Sequence, residues 1–379
     1  MLITAPAGVV TQYGYSIYVS SVDVNFSRST RFVHRHLRTT ARVVLSTRPQ
    51  PITDSSPDAS NNSRGFSTAV NTLPGNLLLL LVVILCVQNA AAAQPPTEFP
   101  DIRSVSEDLR TPAAQHQPPA AGRRVFLRAT GDQPTGAQPS AILMLPENWS
   151  DDAVWPIFVE LPGNGGYRDP RGDECSGKPE DCNLGYGLTA GRDWIWLCLP
   201  FLNDDGTKIA ETWWGDPPKY NSASTLQFWK SQLDLVVSKY SGDPRCIVLA
   251  GFSRGAIAVN ALGLRDPELS GRWTAFFPCS HYDGVRRWPF PDSDSTSARE
   301  RLQRLNGRPQ LISGEGNQVE ETRKYLTASG GAASNVQFLP TGFRNHSDRW
   351  VLRPSTAREA ARKWLQSVGP RDAVANDSE

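Results

Sequence analysis

The stretch Cys246-Ile247-Val248-Leu249-Ala250-Gly251-Phe252-Ser253-Arg254-Gly255-Ala256 decides how this chain is read. An apolar run of strand length leads directly into Gly-x-Ser-x-Gly, and further small residues follow at Ala258 and Ala261. This order predicts a buried strand, a tight turn and a helix. A serine on such a turn needs neighbours without side chains two positions away on either side, which Gly251 and Gly255 supply. The turn lifts the hydroxyl above the sheet edge, and the helix that starts there aims its positive end at the site. Five residues alone match by chance in many chains, so the flanking strand and helix carry the weight. The structural alternative is a serine that only caps the helix.

On both sides of that stretch, short apolar runs bounded by Gly, Pro and Asp predict strands at 124–129, 141–145, 156–161, 194–199, 246–250, 273–278, 310–313 and 336–339. Helical spacing links Leu226, Trp229, Leu233, Val236, Val237 and Tyr240, and further helices are expected over 318–326 and 356–368. Strands alternating with helices imply an α/β fold, with a mostly parallel central sheet covered by helices on both faces. A single catalytic domain over 123–368 accommodates all of them.

The rest of the 379-residue chain has a different composition. Residues 1–93 carry seven arginines, three aspartates, no lysine and no glutamate, and all eleven tryptophans lie beyond them. The whole chain has a formal net charge of +1, which gives no reason to expect a nucleic-acid partner. Leu77 to Val87 is an unbroken run of eleven apolar residues, too short to span a bilayer but of the length of a signal-peptide core. Ala91-x-Ala93 has the form of a cleavage site, so residues 71–93 are expected to be removed and no membrane span to remain. A signal belongs at a start, and residues 1–70 are therefore expected to be a disordered or wrongly translated extension. Residues 94–122, rich in Pro, Ala and Gln, read as a linker, and 369–379 as a disordered tail. The expected location is secreted or periplasmic. In an exported chain Cys175 and Cys182, flanking Ser-Gly-Lys-Pro-Glu-Asp, predict a disulfide, and no nearby histidine completes a metal-ligand set.

Serine attacks only when a base takes its proton, and the base needs an acid to hold its tautomer. Of five histidines, three lie in the tail and linker, which leaves His281 and His346. His346 follows the last expected strand in Thr341-Gly342-Phe343-Arg344-Asn345-His346, after the serine in chain order, and is the expected base. His281 is expected in the pocket wall. The acid should leave a strand end between the two. Glu315, in Ser313-Gly314-Glu315-Gly316-Asn317, is the first candidate, Asp283 the rival, and Glu320 and Asp348 stand behind them. The oxyanion needs close backbone N–H donors. Leu161-Pro162-Gly163-Asn164-Gly165-Gly166-Tyr167 offers one from Asn164 or Gly165, and Arg254, next to the nucleophile, offers the other.

These positions, in this order, resemble the α/β-hydrolase superfamily over roughly residues 123–368. In layout the chain is similar to secreted esterases of the feruloyl-esterase and polyhydroxybutyrate-depolymerase type, and prolyl-oligopeptidase-like catalytic domains share the order. The resemblance implies acyl transfer through an acyl-serine on a small-molecule or polymer ester, with no metal and no organic cofactor. It departs at Asn317, where an aspartate is usual. A peptidase on the same fold, or a binding protein that has lost its acid, are the competing readings. Trp213 and Trp214, with Tyr167, are the expected substrate-binding aromatics, and packing of both tryptophans on the sheet edge is the alternative.

Overall fold

A computed structural model describes residues 8–12, 15–26, 39–47, 99–127, 139–329 and 335–370. Within residues 1–95, which form a unit of their own, β1 (Gly8–Gln12), β2 (Tyr15–Phe26) and β3 (Thr39–Thr47) make an antiparallel sheet in that order. The apolar segment at 77–87 and the tail beyond 370 lie outside the described residues. Among the described residues no helix is long and apolar enough to cross a membrane.

The second unit is built on eight strands: β4 (Arg124–Leu127), β5 (Ala141–Met144), β6 (Trp155–Leu161), β9 (Ile195–Cys198), β10 (Gly242–Phe252), β11 (Ala275–Cys279), β12 (Gln310–Gly314) and β13 (Val336–Pro340). A small hairpin, β7 (Tyr167–Arg168) with β8 (Glu174–Cys175), stands apart from them. The sheet runs β13-β12-β11-β10-β6-β9-β5-β4, and β5 alone is antiparallel to its neighbours. The mostly parallel sheet expected from the apolar runs is present. Strand β10 starts four residues earlier than its apolar run, because Gly242 pairs with Trp155 before an irregularity resets the register at Ile247.

The alternation along β10 shows why this sheet needs two helical layers. Ile247 and Leu249 join one core, with Trp229 and Leu233 of α2 (Ala223–Lys239) and Ile257 of α3 (Arg254–Ala261). Cys246, Val248 and Ala250 point the other way, into a core with Leu184 and Leu188 of α1 (Leu184–Thr189) and Trp364 and Leu365 of α7 (Thr356–Val368). Successive side chains on a strand face opposite sides, so a strand apolar at every position must be covered twice. The other helices are α4 (Pro267–Ser270), α5 (Ser295–Gln303) and α6 (Gln318–Ala328).

Residues 99–122, linker-like in composition, lie along this domain. Glu107 pairs with Arg349 at 2.7 Å and with Arg353 at 2.9 Å. The Ile102 N–H donates to Asn345 Oδ1 at 2.6 Å, one residue before His346. The loop that carries the histidine is thus braced by a segment more than 200 residues away in sequence.

Candidate active site

The loops that leave the C-terminal ends of β6, β10, β11, β12 and β13 meet over the middle of the sheet, where open α/β sheets hold their ligands. Ser253 sits between β10 and α3 with φ 54° and ψ −113°. A residue with a Cβ rarely takes such a conformation, which costs on the order of 1–3 kcal/mol and persists only where surroundings enforce it. Here they do. A Cβ on Gly251 would stand 2.4 Å from the backbone of Gly255, and one on Gly255 would stand 2.1 Å from the Leu161 carbonyl oxygen. The Ser253 N–H donates to the Cys279 carbonyl at 2.9 Å, which ties the turn to β11.

His346 Nε2 lies 2.9 Å from Ser253 Oγ. On its other side Nδ1 meets Glu315 Oε1, from the turn after β12. A carboxylate on Nδ1 keeps the proton there, so Nε2 is the acceptor for the serine hydroxyl. Glu315 is itself held: Ser280 Oγ donates to Oε2 at 2.5 Å and Gln318 Nε2 to Oε1 at 2.7 Å. Burial pushes its carboxyl up, but the bond and charge of His346 and the Ser280 bond outweigh this and leave it below the ordinary carboxylate value. The histidine backbone is anchored as well, its N–H donating to Asp173 Oδ1 at 2.8 Å and its carbonyl accepting from Glu174 N–H at 3.3 Å.

The rival acids are engaged elsewhere. Asp283 is 2% exposed and makes a two-pronged ion pair with Arg301 of α5, at 2.9 and 3.1 Å. This corrects its candidacy, since its carboxylate is committed to Arg301 while His346 Nδ1 is met by Glu315. Burial still raises its carboxyl to about 6 against the pull of Arg301. Asp348 accepts from Asn183 N–H at 3.1 Å and Asn183 Nδ2 at 3.0 Å, and burial, then the charge of Glu160, push it up to about 8. Glu320 pairs with Arg323 at 3.2 Å on the surface of α6.

The expected bridge between Cys175 and Cys182 is also corrected, since both are free thiols. Cys175 packs on the loop after β6, where a Cβ on Gly163 would stand 2.7 Å from its Sγ. Cys182 is buried beside Cys198 and Glu160 instead. Those three residues bring ligand atoms within 4.8 Å of one another. The carboxylate is already saturated, however: Oε1 accepts the N–H groups of Asn183 and Leu184, and Oε2 those of Gly185 and Trp196 Nε1. Glu160 therefore satisfies the open N–H groups at the start of α1 and is poorly placed to bind a metal.

Loop 163–166 lies against Ser253, since a Cβ on Gly163 would come 3.2 Å from its Cβ. Its candidate donors separate. The Gly165 N–H is spent on the Glu211 carbonyl at 2.6 Å, which removes it as an oxyanion donor. Asn164 receives the Trp213 N–H on Oδ1 at 2.9 Å. The Arg254 N–H, at the first position of α3, has no acceptor within the helix. Its side chain does not reach outward, because Arg254 is fully buried.

The aromatics divide too. Trp214, 2% exposed, is core, packed on Phe201 and Phe290 with ring centres 5.7 and 4.6 Å away. An exposed role for it is corrected: the apolar cluster under the loop takes up its ring. Trp213 is half-buried and packs at a tilt against Trp288, which touches His281, whose ring lies 5.0 Å from that of His346. His281 stands in the wall of the site, where burial, then the His346 charge, push it down to about 4. Tyr167 stacks on the His346 ring at 6.2 Å, and its buried hydroxyl has no hydrogen-bond partner among the described residues. Tyr167, Gly163 and Cys175 also line a cleft of about 910 Å³ with a mixed charged rim that includes Arg110 and Lys178. Ser280 and Gln318, which hold the Glu315 carboxylate, carry no local pattern that marks them in the sequence.

No family model and no curated protein matches this sequence. Among solved structures, the chain is similar to a thermostable esterase (16% identity, TM-score 0.39, 60% of this chain and 58% of that one). It is also similar to esterase 2 of Thermogutta terrifontis phosphorylated by paraoxon (15% identity, TM-score 0.41, 60% and 86%). A third is a feruloyl esterase module from Clostridium thermocellum complexed with sinapinate (15% identity, TM-score 0.38, 65% and 92%). The strand order, the single antiparallel strand β5 and the serine turn between β10 and α3 are those of the α/β-hydrolase fold.

Proposed function

We propose that this chain is an exported serine hydrolase that cleaves carboxylic esters through an acyl-serine. One observation carries the reading: Ser253 Oγ stands 2.9 Å from His346 Nε2 while Nδ1 of the same ring is bound to the Glu315 carboxylate. In the first step His346 takes the Ser253 proton as the oxygen attacks the ester carbonyl, and Glu315 holds the imidazolium that forms. The carbonyl oxygen gains charge facing the Arg254 N–H and the Asn164 backbone, both beside the nucleophile. The C–O bond to the alcohol breaks as His346 returns its proton to the leaving oxygen. Water, activated by the same histidine, then frees the acid and restores Ser253.

Tyr167, stacked on the histidine, and Trp213, linked to it through Trp288 and His281, form the aromatic walls against which a ring-bearing acyl or alcohol group stacks. The cleft beyond Tyr167, polar and charged at its rim, accommodates the more hydrophilic part of such an ester. Export rests on the apolar run at 77–87 and the Ala91-x-Ala93 site. The test is a panel of p-nitrophenyl esters and matched anilides given to the purified protein, with Ser253→Ala as control. Ester turnover that the control lacks supports the reading, anilide turnover in its place favours a peptidase, and none at all removes it.

A further inference from the structure

Arg254 follows the nucleophile directly, and its guanidinium is enclosed by protein without an ion-pair partner among the described residues. Burying a charge without a counter-ion is costly unless it is fully hydrogen-bonded. Here carbonyls replace the anion: Nη1 donates to Ala210 O at 2.9 Å and Trp213 O at 2.6 Å, and Nη2 to Gly177 O at 3.3 Å. The guanidinium lies over the Phe201 ring, 4.2 Å from its centre, and Nε has no hydrogen-bond partner among the described residues. Burial lowers the guanidinium to about 9, so it keeps its charge at neutral pH.

What those carbonyls belong to gives the arrangement its meaning. The 210–213 segment accepts the Gly165 N–H on Glu211 O at 2.6 Å and donates the Trp213 N–H to Asn164 Oδ1 at 2.9 Å. The segment at Gly177 presses on the same loop, since a Cβ on Gly165 would stand 1.8 Å from the Ser176 carbonyl oxygen and one on Gly177 2.7 Å from Gly165 N. Every acceptor of the guanidinium therefore lies in a segment that touches loop 163–166, while its backbone lies beside Ser253.

We infer that Arg254 is a positioning residue that clamps the 210–213 and 176–177 segments onto loop 163–166 and so fixes the oxyanion donors relative to Ser253. It does this from inside the fold and does not touch substrate. A planar fork serves three carbonyls in fixed directions, which the compact ammonium of lysine cannot. The inference rests on the serine-hydrolase reading for its catalytic consequence, but its structural half stands apart from it.

The test compares wild type, Arg254→Lys and Arg254→Met in three measurements: steady-state hydrolysis of a p-nitrophenyl ester, thermal unfolding, and hydrogen exchange in a peptide covering 161–167. In the folded variants kcat is expected to fall about 100-fold, the size of one lost oxyanion donor, with KM within about 3-fold. Exchange at loop 163–166 should rise about tenfold or more, and Arg254→Lys should recover part of both. A folded variant with wild-type exchange and wild-type kcat overturns the inference, as does a KM change without a kcat change. If Arg254→Met does not fold, Arg254→Lys decides. If the wild type hydrolyses no ester, the serine-hydrolase reading fails by itself, and the exchange measurement still decides whether Arg254 holds the loop.

Discussion

Glu315 meets His346 from the strand next to the one that leads into the histidine loop, and the two loops are stitched together by the Gly316 N–H on the Phe343 carbonyl at 3.2 Å. The same carboxylate takes a 2.5 Å bond from Ser280, so three adjacent strand ends (β11, β12 and β13) converge on one imidazole.

That convergence separates Glu315 from Asp283 by experiment. Glu315→Gln should turn the imidazole to the wrong tautomer and lower kcat by about 10⁴-fold, with a stable fold. Asp283→Ala should leave kcat of the folded enzyme near wild type but cost about 3–5 kcal/mol in denaturant unfolding, because it strands the buried Arg301 guanidinium. The reverse pattern would show that the roles have been exchanged.

How much of this was legible from sequence differs from residue to residue. Ser253 is legible because its turn needs Gly251 and Gly255 locally, and His346 because only two histidines fall inside the domain. The acid is harder, since four carboxylates follow strands or sit near the histidine and Asn317 occupies the usual slot. What removes Asp283 is Arg301, eighteen residues further on and on another helix, and no local spacing announces that partner. Trp213 and Trp214 are neighbours with the same side chain, yet Trp214 is buried in the core while Trp213, with φ of 55°, is left half-buried against Trp288. The pairing of Cys175 with Cys182 fails for a similar reason: sequence proximity says nothing of Cys198, which comes to Cys182 from β9.

Asp348 should govern part of the pH dependence of stability. Burial and the nearby Glu160 charge raise it from 3.8 to about 8 in the folded protein. Between about pH 4 and 8 the native state then holds a proton that the unfolded state has released, so stability falls as pH rises through that window. Thermal unfolding of wild type and Asp348→Asn from pH 5 to 8 should show a decline in the first and a flatter profile in the second. Parallel profiles would exclude Asp348 as the source.

The two tryptophans should fail differently. Trp214→Ala empties a core site against Phe201 and Phe290 and should cost about 3–5 kcal/mol. Trp213→Ala removes a wall of the site at less cost to the fold, and should raise KM for aromatic esters several-fold relative to short aliphatic ones. Equal effects on both substrate classes would place Trp213 outside the binding surface.

The central claim is that Ser253 is a nucleophile activated by His346. The most direct measurement is peptide mapping by mass spectrometry after reaction of the folded protein with a fluorophosphonate. The account predicts one phosphonyl adduct, on Ser253, and loss of labelling in His346→Ala. Folded protein that takes up no adduct, or takes it on another residue, would contradict it.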